Sequence, residues 1–374
     1  MNRGLDTSSG KYRLKRQKSM KMISHDIKQF YRNEPRYSIK DFKILKCGLC
    51  FAGFVGKGAW FHIYQVCIIT IQLFVAISNF IFKDRSPEPF AWTVYSSFFI
   101  ILAIYGMFYY SKSSHVRNVL NSKLIQNEML KSGYQKFRKR IEIVYGCIIM
   151  PLMILWIVET YEIIQGREYK GTNVLTYLVP QGCFWWYLLV LITITCWFYT
   201  FIHAGIMITT FYLVMSIHRM EFKHLVSELE NEDKFEELRS QFIEIKNSVN
   251  KSQRYYMIMV LFSMLMIMLR IILETIQYFQ MKHMINLIWV FTLLIILFMM
   301  LFNISFLNDI NSELIPKIYY CYSNIDDKIE HLCRIFETNK IQFKVIDVVI
   351  TTKILGKLIL FVVNIALGIL LSIF

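Results

Sequence analysis

We predict an all-α integral membrane protein with seven transmembrane helices, an N-terminus inside the cell and a C-terminus outside. Of the 374 residues, 55% are hydrophobic and 18% are charged, whereas soluble proteins carry roughly a quarter charged residues. The apolar residues gather into blocks, several longer than the ~18 residues that mark a helix able to cross a ~30 Å hydrocarbon layer. Lysine and arginine are concentrated in alternate connecting segments, which predicts the orientation.

Seven apolar blocks are the predicted transmembrane helices. In chain order they are Trp60–Phe82, Phe90–Tyr110, Ile141–Ile164, Phe184–Met215, Tyr255–Tyr278, Met284–Phe306 and Ile354–Phe374. The first two are joined by a tight turn, because Pro87 and Pro89 exclude a continuous helix there. The fourth block is longer than a bilayer requires, so we expect it to tilt or to project into the cytosol.

The basic residues alternate between the two sides of the membrane. Residues 1–58, 111–140, 217–254 and 307–353 contain 14, 8, 7 and 6 lysines and arginines. The three short connections between them contain 2, 2 and 1. Because positively charged segments remain in the cytoplasm, this asymmetry places the N-terminus inside and, after seven crossings, the C-terminus outside.

Three regions follow from this layout. Residues 1–58 form a basic cytosolic segment that we expect to be mostly mobile. Residues 59–306 form a six-helix membrane domain with a ligand pocket and cytosolic helical extensions. Residues 307–374 form a cytosolic anchor helix and a final helix that is predicted to line a pore. The extensions are predicted over Glu228–Arg254 and Ile325–Phe343, where apolar residues recur every three or four positions.

Composition and motifs exclude several functions. The formal charge of +15 is spread between the apolar blocks, so anionic lipids of the inner leaflet are the expected partners rather than nucleic acid. No HExxH, GxSxG or glycine-rich phosphate loop occurs, and the eight histidines are not grouped at metal-ligand spacing. We therefore predict that the protein is not an enzyme and that it has no cofactor or metal site.

Charged and aromatic side chains inside the blocks predict a small-molecule site. Charges in membrane helices are costly and usually mark function or a buried partner. The candidate residues share an outer-half position and are Trp92, Tyr95, Glu159, Glu162, Trp185, Trp186, Arg270, Glu274 and Tyr278. Tyr187 and Trp289 lie at a similar depth. Two interpretations stay open. The charges and rings surround a ligand, or an ion pair of Arg270 with Glu274 or Glu159 only fixes helix packing while the tryptophans anchor the interface.

One face of the last block carries small, polar and aromatic residues. These are Lys357, Phe361, Asn364, Gly368 and Ser372, spaced by three and four positions. In a symmetric assembly this face suits the lining of a pore, with Phe361 as a hydrophobic constriction. The alternative is a seam between helices, because Gly368 and Ser372 permit close backbone approach.

Two stretches of the chain match a known sequence pattern. One is the helical run Leu238-Arg-Ser-Gln-Phe-Ile-Glu-Ile-Lys-Asn-Ser-Val-Asn250 before the fifth block. The other is Asp347-x(5)-Lys353-Ile-Leu-Gly356, which leads into the last block. Both stretches resemble the insect-type chemoreceptor family, gustatory branch. The family's T-Y and Q-F pairs are replaced by Leu360-Phe361 and Leu367-Gly368. The seven-helix layout with its N-terminus inside is similar to that family along the whole chain.

The resemblance implies a subunit of a tetrameric ligand-gated cation channel in the plasma membrane. It implies a small-molecule tastant as ligand, a homo- or hetero-tetramer with related receptors, and a pore lined by the last helix of each subunit. Two alternatives remain. One is a seven-helix metabotropic receptor coupled to G proteins, although the charge asymmetry and the absence of Asp-Arg-Tyr and Asn-Pro-x-x-Tyr motifs argue against it. The other is a gustatory-receptor-like protein with a non-sensory role.

Overall fold

A computed structural model describes most of the chain beyond residue 42. The described residues are 43–52, 59–82, 87–112, 119, 134–164, 179, 182–228, 235–281, 284–321, 327–338, 340–345, 348–357, 360, 364 and 368. All of them belong to one unit, Ser38–Phe374.

The described residues are almost entirely helical. The helices are α1 (Lys43–Phe51), α2 (Ala59–Phe82), α3 (Pro87–Lys112), α4 (Tyr134–Ile164), α5 (Phe184–Glu228), α6 (Phe235–Met281), α7 (Met284–Cys321) and α8 (Asp327–Thr338), followed by strands β1 (Lys344–Val345) and β2 (Val348–Val349). The first six predicted transmembrane blocks lie in α2 to α7. Of the seventh, Ile354–Phe374, the structure describes residues 354–357, 360, 364 and 368, all of them helical.

Three helices are much longer than a bilayer is thick. Helices α5, α6 and α7 contain 45, 47 and 38 residues, which corresponds to roughly 57–71 Å at the α-helical rise. Five described segments are long and apolar enough to cross a membrane, namely Ala59–Ser78, Lys136–Val158, Phe184–Ser227, Glu237–Phe279 and Asn286–Ile310. The described apolar stretch of α3 is shorter, Val94–Gly106. These segments confirm a multi-pass membrane protein, and the long helices extend beyond the hydrocarbon layer.

Helix α5 is the centre of the bundle. It packs against α1, α2, α3, α4, α6 and α7. Gly205 allows α4 to approach closely, since a Cβ at this position would collide with the side chain of Ile149. Polar contacts add to this packing, because the Gln72 amide of α2 donates to the Thr200 hydroxyl of α5 over 3.1 Å. The many neighbours explain why the middle of α5 is buried on nearly all sides.

Helix α1 lies inside the N-terminal segment that we expected to be mostly mobile, so residues 43–52 are a folded part of that segment. Leu45 and Leu49 are one helical turn apart and fully buried. At the end of α1, the backbone carbonyl of Ala52 accepts a 2.8 Å hydrogen bond from His203 Nε2 on α5. Side chains of the bundle thus satisfy carbonyls that a helix end leaves unpaired. Residues 1–42 lie outside the described part of the chain.

A predicted helix ends earlier than expected and is followed by a two-stranded antiparallel hairpin. We predicted helix over Ile325–Phe343, whereas α8 ends at Thr338 and residues 340–343 lead into β1. The fold is therefore not purely helical. The Asn308 side chain of α7 holds the hairpin, since its amide nitrogen donates to Phe343 O at 3.0 Å and Ile350 O at 2.8 Å, and its oxygen accepts from Phe343 N at 2.8 Å.

Candidate functional site

A buried ion pair lies in the C-terminal third of α6. Arg270 Nη2 and Glu274 Oε1 are 2.5 Å apart, one helical turn from each other. Arg270 is 2% exposed and Glu274 is fully buried. The guanidinium also lies over two aromatic faces, 4.4 Å from the ring centre of Trp289 and 5.1 Å from that of Tyr95. Both rings therefore supply part of the stabilisation that water would otherwise give to the cation.

Five aromatic rings beside this ion pair contact one another in series. We call Tyr95, Phe99, Trp197, Phe201 and Trp289 the aromatic cluster. From Tyr95, successive ring centres are 5.8 Å to Phe99, 6.4 Å to Trp197, 5.7 Å to Phe201 and 5.8 Å to Trp289. Arg270 contacts both ends of this series, Tyr95 and Trp289. The distances are those of favourable aromatic packing.

The helical repeat explains how four helices build this arrangement. Residues four positions apart lie on the same side of a helix. Helix α3 therefore contributes Tyr95 and Phe99 from one face, α5 contributes Trp197 and Phe201, and α6 contributes the ion pair, while Trp289 comes from the first turns of α7. Since these helices all pack on one another or on α5, the three faces and Trp289 meet in the interior of the bundle.

Two indole groups in the aromatic cluster are buried without an acceptor among the described residues. Trp197 is 2% exposed and Trp289 is 1% exposed. Within the described part of the chain, neither Nε1 has a hydrogen-bond partner. Trp156 offers a contrast, since its Nε1 donates to the Ile194 carbonyl at 3.1 Å. Buried polar groups in proteins are usually paired, so these two N–H donors mark the cluster as unusual.

The structure brings some of the predicted site residues together. Tyr95, Arg270 and Glu274 meet, and Tyr278 is buried one turn beyond Glu274 on α6. The Arg270–Glu274 ion pair agrees with the packing interpretation and does not decide between it and a ligand role.

Other predicted residues are not part of the contacts around Arg270 that the structure describes. Trp186 is 8% exposed and contacts Tyr187, whereas Trp185 is 64% exposed. The side chains of Trp92, Glu159 and Glu162 lie outside the described residues, so their assignment to a ligand site stays a prediction.

Three residues of the aromatic cluster were missed by the sequence prediction. Phe99 follows Tyr95 by four positions, and this spacing was a usable signal. Trp197 and Phe201 lie in the middle of a long apolar helix, where no polar neighbour distinguishes them from ordinary core residues. Their role becomes visible only through contacts with α3 and α7, which are distant in sequence.

Of the predicted pore residues, those that the structure describes are exposed. Lys357, Asn364 and Gly368 are accessible, as is Leu360 at 62%. Leu355, on the other side of the same helical segment, is 5% exposed. The side chains of Phe361 and Ser372 lie outside the described residues. At the described positions, no other part of the chain described by the structure covers this face of the terminal helix. A pore-lining role stays a prediction.

A second buried polar cluster was not anticipated. His218 Nδ1 lies 3.0 Å from Glu221 Oε2, and the Ser252 hydroxyl lies 2.7 Å from His218 Nε2. The order serine, histidine, carboxylate resembles that of hydrolases. However, the three residues are 0 to 4% exposed, and a substrate reaches Ser252 only if α5 and α6 separate. The contacts therefore join the two long helices.

No protein-family model and no curated protein matches the sequence. A solved structure does match. The chain shares its fold with an insect olfactory receptor. That protein is the olfactory receptor OR5 from Machilis hrabei, with a TM-score of 0.66 and 10% sequence identity over 88% of this chain and 97% of the receptor. The prediction of an insect-chemoreceptor type of fold is thus confirmed, and the gustatory branch stays a prediction.

Proposed function

We propose that the protein is a gustatory-type chemoreceptor, a subunit of a ligand-gated cation channel in the plasma membrane that opens when a small external molecule binds. The observation that carries this proposal is the fold shared with an insect olfactory receptor over 88% of the chain. The chemoreceptor-like stretches in the first part of α6 and after β1 support it from the sequence. On this proposal the chain crosses the membrane seven times with its N-terminus inside, forms a homo- or hetero-tetramer, and catalyses no reaction.

The proposed ligand site is the region of Arg270 and the aromatic cluster. It is supported by a buried ion pair and five rings that come from four helices. Membrane helices rarely hold a charged pair in their interior without a functional or structural need. The proposed pore is lined by the terminal helix, and the exposed face at Leu360, Asn364 and Gly368 supports that assignment.

Current recording tests the proposal. The full chain is expressed in cells, alone and with related receptors, and whole-cell current is measured while a panel of small molecules is applied. We expect a cation current with at least one compound. Cells that express a variant with a stop codon early in the chain provide the baseline. If surface expression is normal and no compound evokes a current with any co-expressed receptor, the channel proposal is wrong.

A tag at the N-terminus separates the channel from the metabotropic alternative. We expect an antibody to stain this tag only after cells are permeabilised, because the basic segments hold the N-terminus in the cytoplasm. A tag at the C-terminus is the matched control and should be stained on intact cells. Staining of the N-terminal tag on intact cells, together with a second-messenger response that lacks current, would instead favour the metabotropic receptor.

A further inference from the structure

The two indole N–H groups in the aromatic cluster restrict the chemistry of the ligand. Trp197 and Trp289 are both almost fully buried, and neither Nε1 has an acceptor among the described residues. An indole nitrogen donates a hydrogen bond and cannot accept one. A molecule that fits here must therefore bring acceptor atoms.

Both donors belong to one small region. The ring centre of Phe201 is 5.7 Å from that of Trp197 and 5.8 Å from that of Trp289. The two indoles are thus neighbours of the same ring, and Phe201 itself offers an apolar surface between them. A flat molecule of one or two rings that lies against Phe201 would therefore be a neighbour of both indoles.

The charges beside the cluster already engage each other. Arg270 contacts Glu274 at 2.5 Å and is covered by two aromatic faces. The pair has no net charge, so a charged ligand would lose its hydration without gaining a counter-ion. An ammonium group, moreover, cannot accept a hydrogen bond from either indole N–H. A sugar would bring several hydroxyl groups that each need a partner, against a wall of five rings.

We infer that Trp197 and Trp289 are the hydrogen-bond donors of a site for an uncharged, flat, apolar molecule that carries one or two carbonyl or ether oxygens. Aromatic ketones, aldehydes, esters and lactones belong to this class. The binding site is inferred from the contacts described above. Only the expectation that binding opens a channel rests on the proposed function. The side chains are packed, so the rings move apart when the molecule enters.

Binding to the purified full-length assembly in lipid nanodiscs tests this chemistry directly. Three probes share one ring and differ at a single group: acetophenone has a carbonyl acceptor, ethylbenzene has none, and 1-phenylethylamine is a cation. The shift of the thermal unfolding midpoint with ligand concentration gives an apparent affinity for each. We expect acetophenone to bind at least about tenfold more tightly than ethylbenzene, which is the value of one hydrogen bond, and the amine to bind more weakly still.

Replacing each indole by a phenyl ring identifies the donors. In Trp289→Phe or Trp197→Phe the ring remains and the N–H is lost, so we expect acetophenone to bind about tenfold more weakly and ethylbenzene to bind as before. Trp60→Phe is the matched control, since Trp60 is 84% exposed on α2. If one variant does not fold, the other variant and the three probes on the unaltered chain still decide the question.

The outcomes separate the ligand class from the proposed function. Equal affinity for acetophenone and ethylbenzene, unchanged in both variants, would show that water pairs the two N–H groups and would overturn the inference. Tighter binding of the amine would also overturn it. If the ketone binds as expected and no current follows in cells, the site stands and the channel proposal fails. If current is evoked by other compounds while the ketone does not bind, the channel proposal stands and the ligand class is wrong.

Discussion

A guanidinium inside a membrane helix needs a counter-charge and a replacement for the water it loses. Arg270 has both, because Glu274 is one turn away and the faces of Tyr95 and Trp289 cover its plane. Removal of one partner leaves the other charge buried and uncompensated. Because the loss of either partner is costly, the pair strongly constrains the packing of α3, α6 and α7, whether or not it also contacts a ligand.

Arg270→Ala should therefore destabilise the protein by roughly 3–5 kcal/mol, the usual effect of breaking a buried pair. Thermal unfolding of the purified protein and the amount at the cell surface measure it. Arg334→Ala is the matched control. Its ion pair with Glu330 is exposed, at 71% and 50% of the two side chains, and we expect a change below about 1 kcal/mol. Similar effects in the two variants, with an unchanged ligand response, would contradict the importance of the buried pair.

Glycine has opposite consequences at two positions of neighbouring helices. In Gly205→Ala the new methyl group meets the side chain of Ile149 between α4 and α5, and such overpacking costs about 1–3 kcal/mol. In Gly146→Ala nothing lies within 4 Å of the new methyl group, so the helix gains about 0.5–1 kcal/mol from its alanine. We expect the unfolding midpoint to fall in the first variant and to rise in the second. A higher unfolding midpoint in both variants would show that the Ile149 side chain of α4 accommodates the new methyl group without loss of stability.

At the scale of elements, the long helices were predictable and their ends were not. The apolar blocks located α2 to α7, because the length of an apolar run is set by bilayer thickness. The fourth apolar block ends at Met215 and was expected to tilt or to project into the cytosol, and α5 continues to Glu228. The continuation contains charged residues, yet its inner face is apolar, with Phe222 and Leu225 fully buried. Hydropathy alone marks the membrane portion of such a helix and not its extension.

Two small elements depend on contacts that no local pattern shows. Helix α1 has nine residues in a basic region, and its burial requires α4 and α5. Strands β1 and β2 have two residues each, too few for an alternating pattern. They are held by Asn308, which is 35 positions before Phe343. The aromatic cluster was hidden for the same reason, since Trp197 and Phe201 acquire significance only beside α3 and α7.

Asn308 offers a direct test of how the hairpin is held. Asn308→Ala removes three hydrogen bonds to buried backbone groups of Phe343 and Ile350. At about 1 kcal/mol for each bond, we expect a loss of roughly 3 kcal/mol in local stability. Hydrogen exchange of residues 340–350 should accelerate, while exchange in α2 stays the same. Asn250→Ala, at an exposed position of α6, is the control. Unchanged exchange in Asn308→Ala would mean that other contacts hold the hairpin.

At the scale of the whole molecule, α7 connects the candidate site to the terminal helix. Trp289 near its start contacts Arg270. Further along, Asn308 holds the hairpin, and Asp309 Oδ2 accepts a 3.0 Å hydrogen bond from the Thr352 backbone N–H at the start of the terminal helix. From Trp289 to Asn308 the helix rises by roughly 28 Å. A shift of Trp289 that moves α7 as a rigid body would therefore also move the groups that position the terminal helix.

The exposed face of that helix gives the last prediction, which rests on the channel proposal. Asn364 is exposed in the single chain, whereas Leu355 is 5% exposed. If the face lines a pore, a charged, water-soluble thiol reagent applied with ligand should block current through Asn364→Cys and not through Leu355→Cys. The unaltered chain gives the baseline, because Cys47, Cys50, Cys67 and Cys147 are already exposed.

The result also separates a pore from a seam between helices. In a seam, Asn364 would be covered by a neighbouring chain, and the reagent would leave the Asn364→Cys current unchanged. In a pore, block requires the reagent to reach position 364 from water, so the rate of block should increase when ligand opens the channel. An equal rate with and without ligand would place this face in permanent contact with water and would remove the terminal helix from the gate.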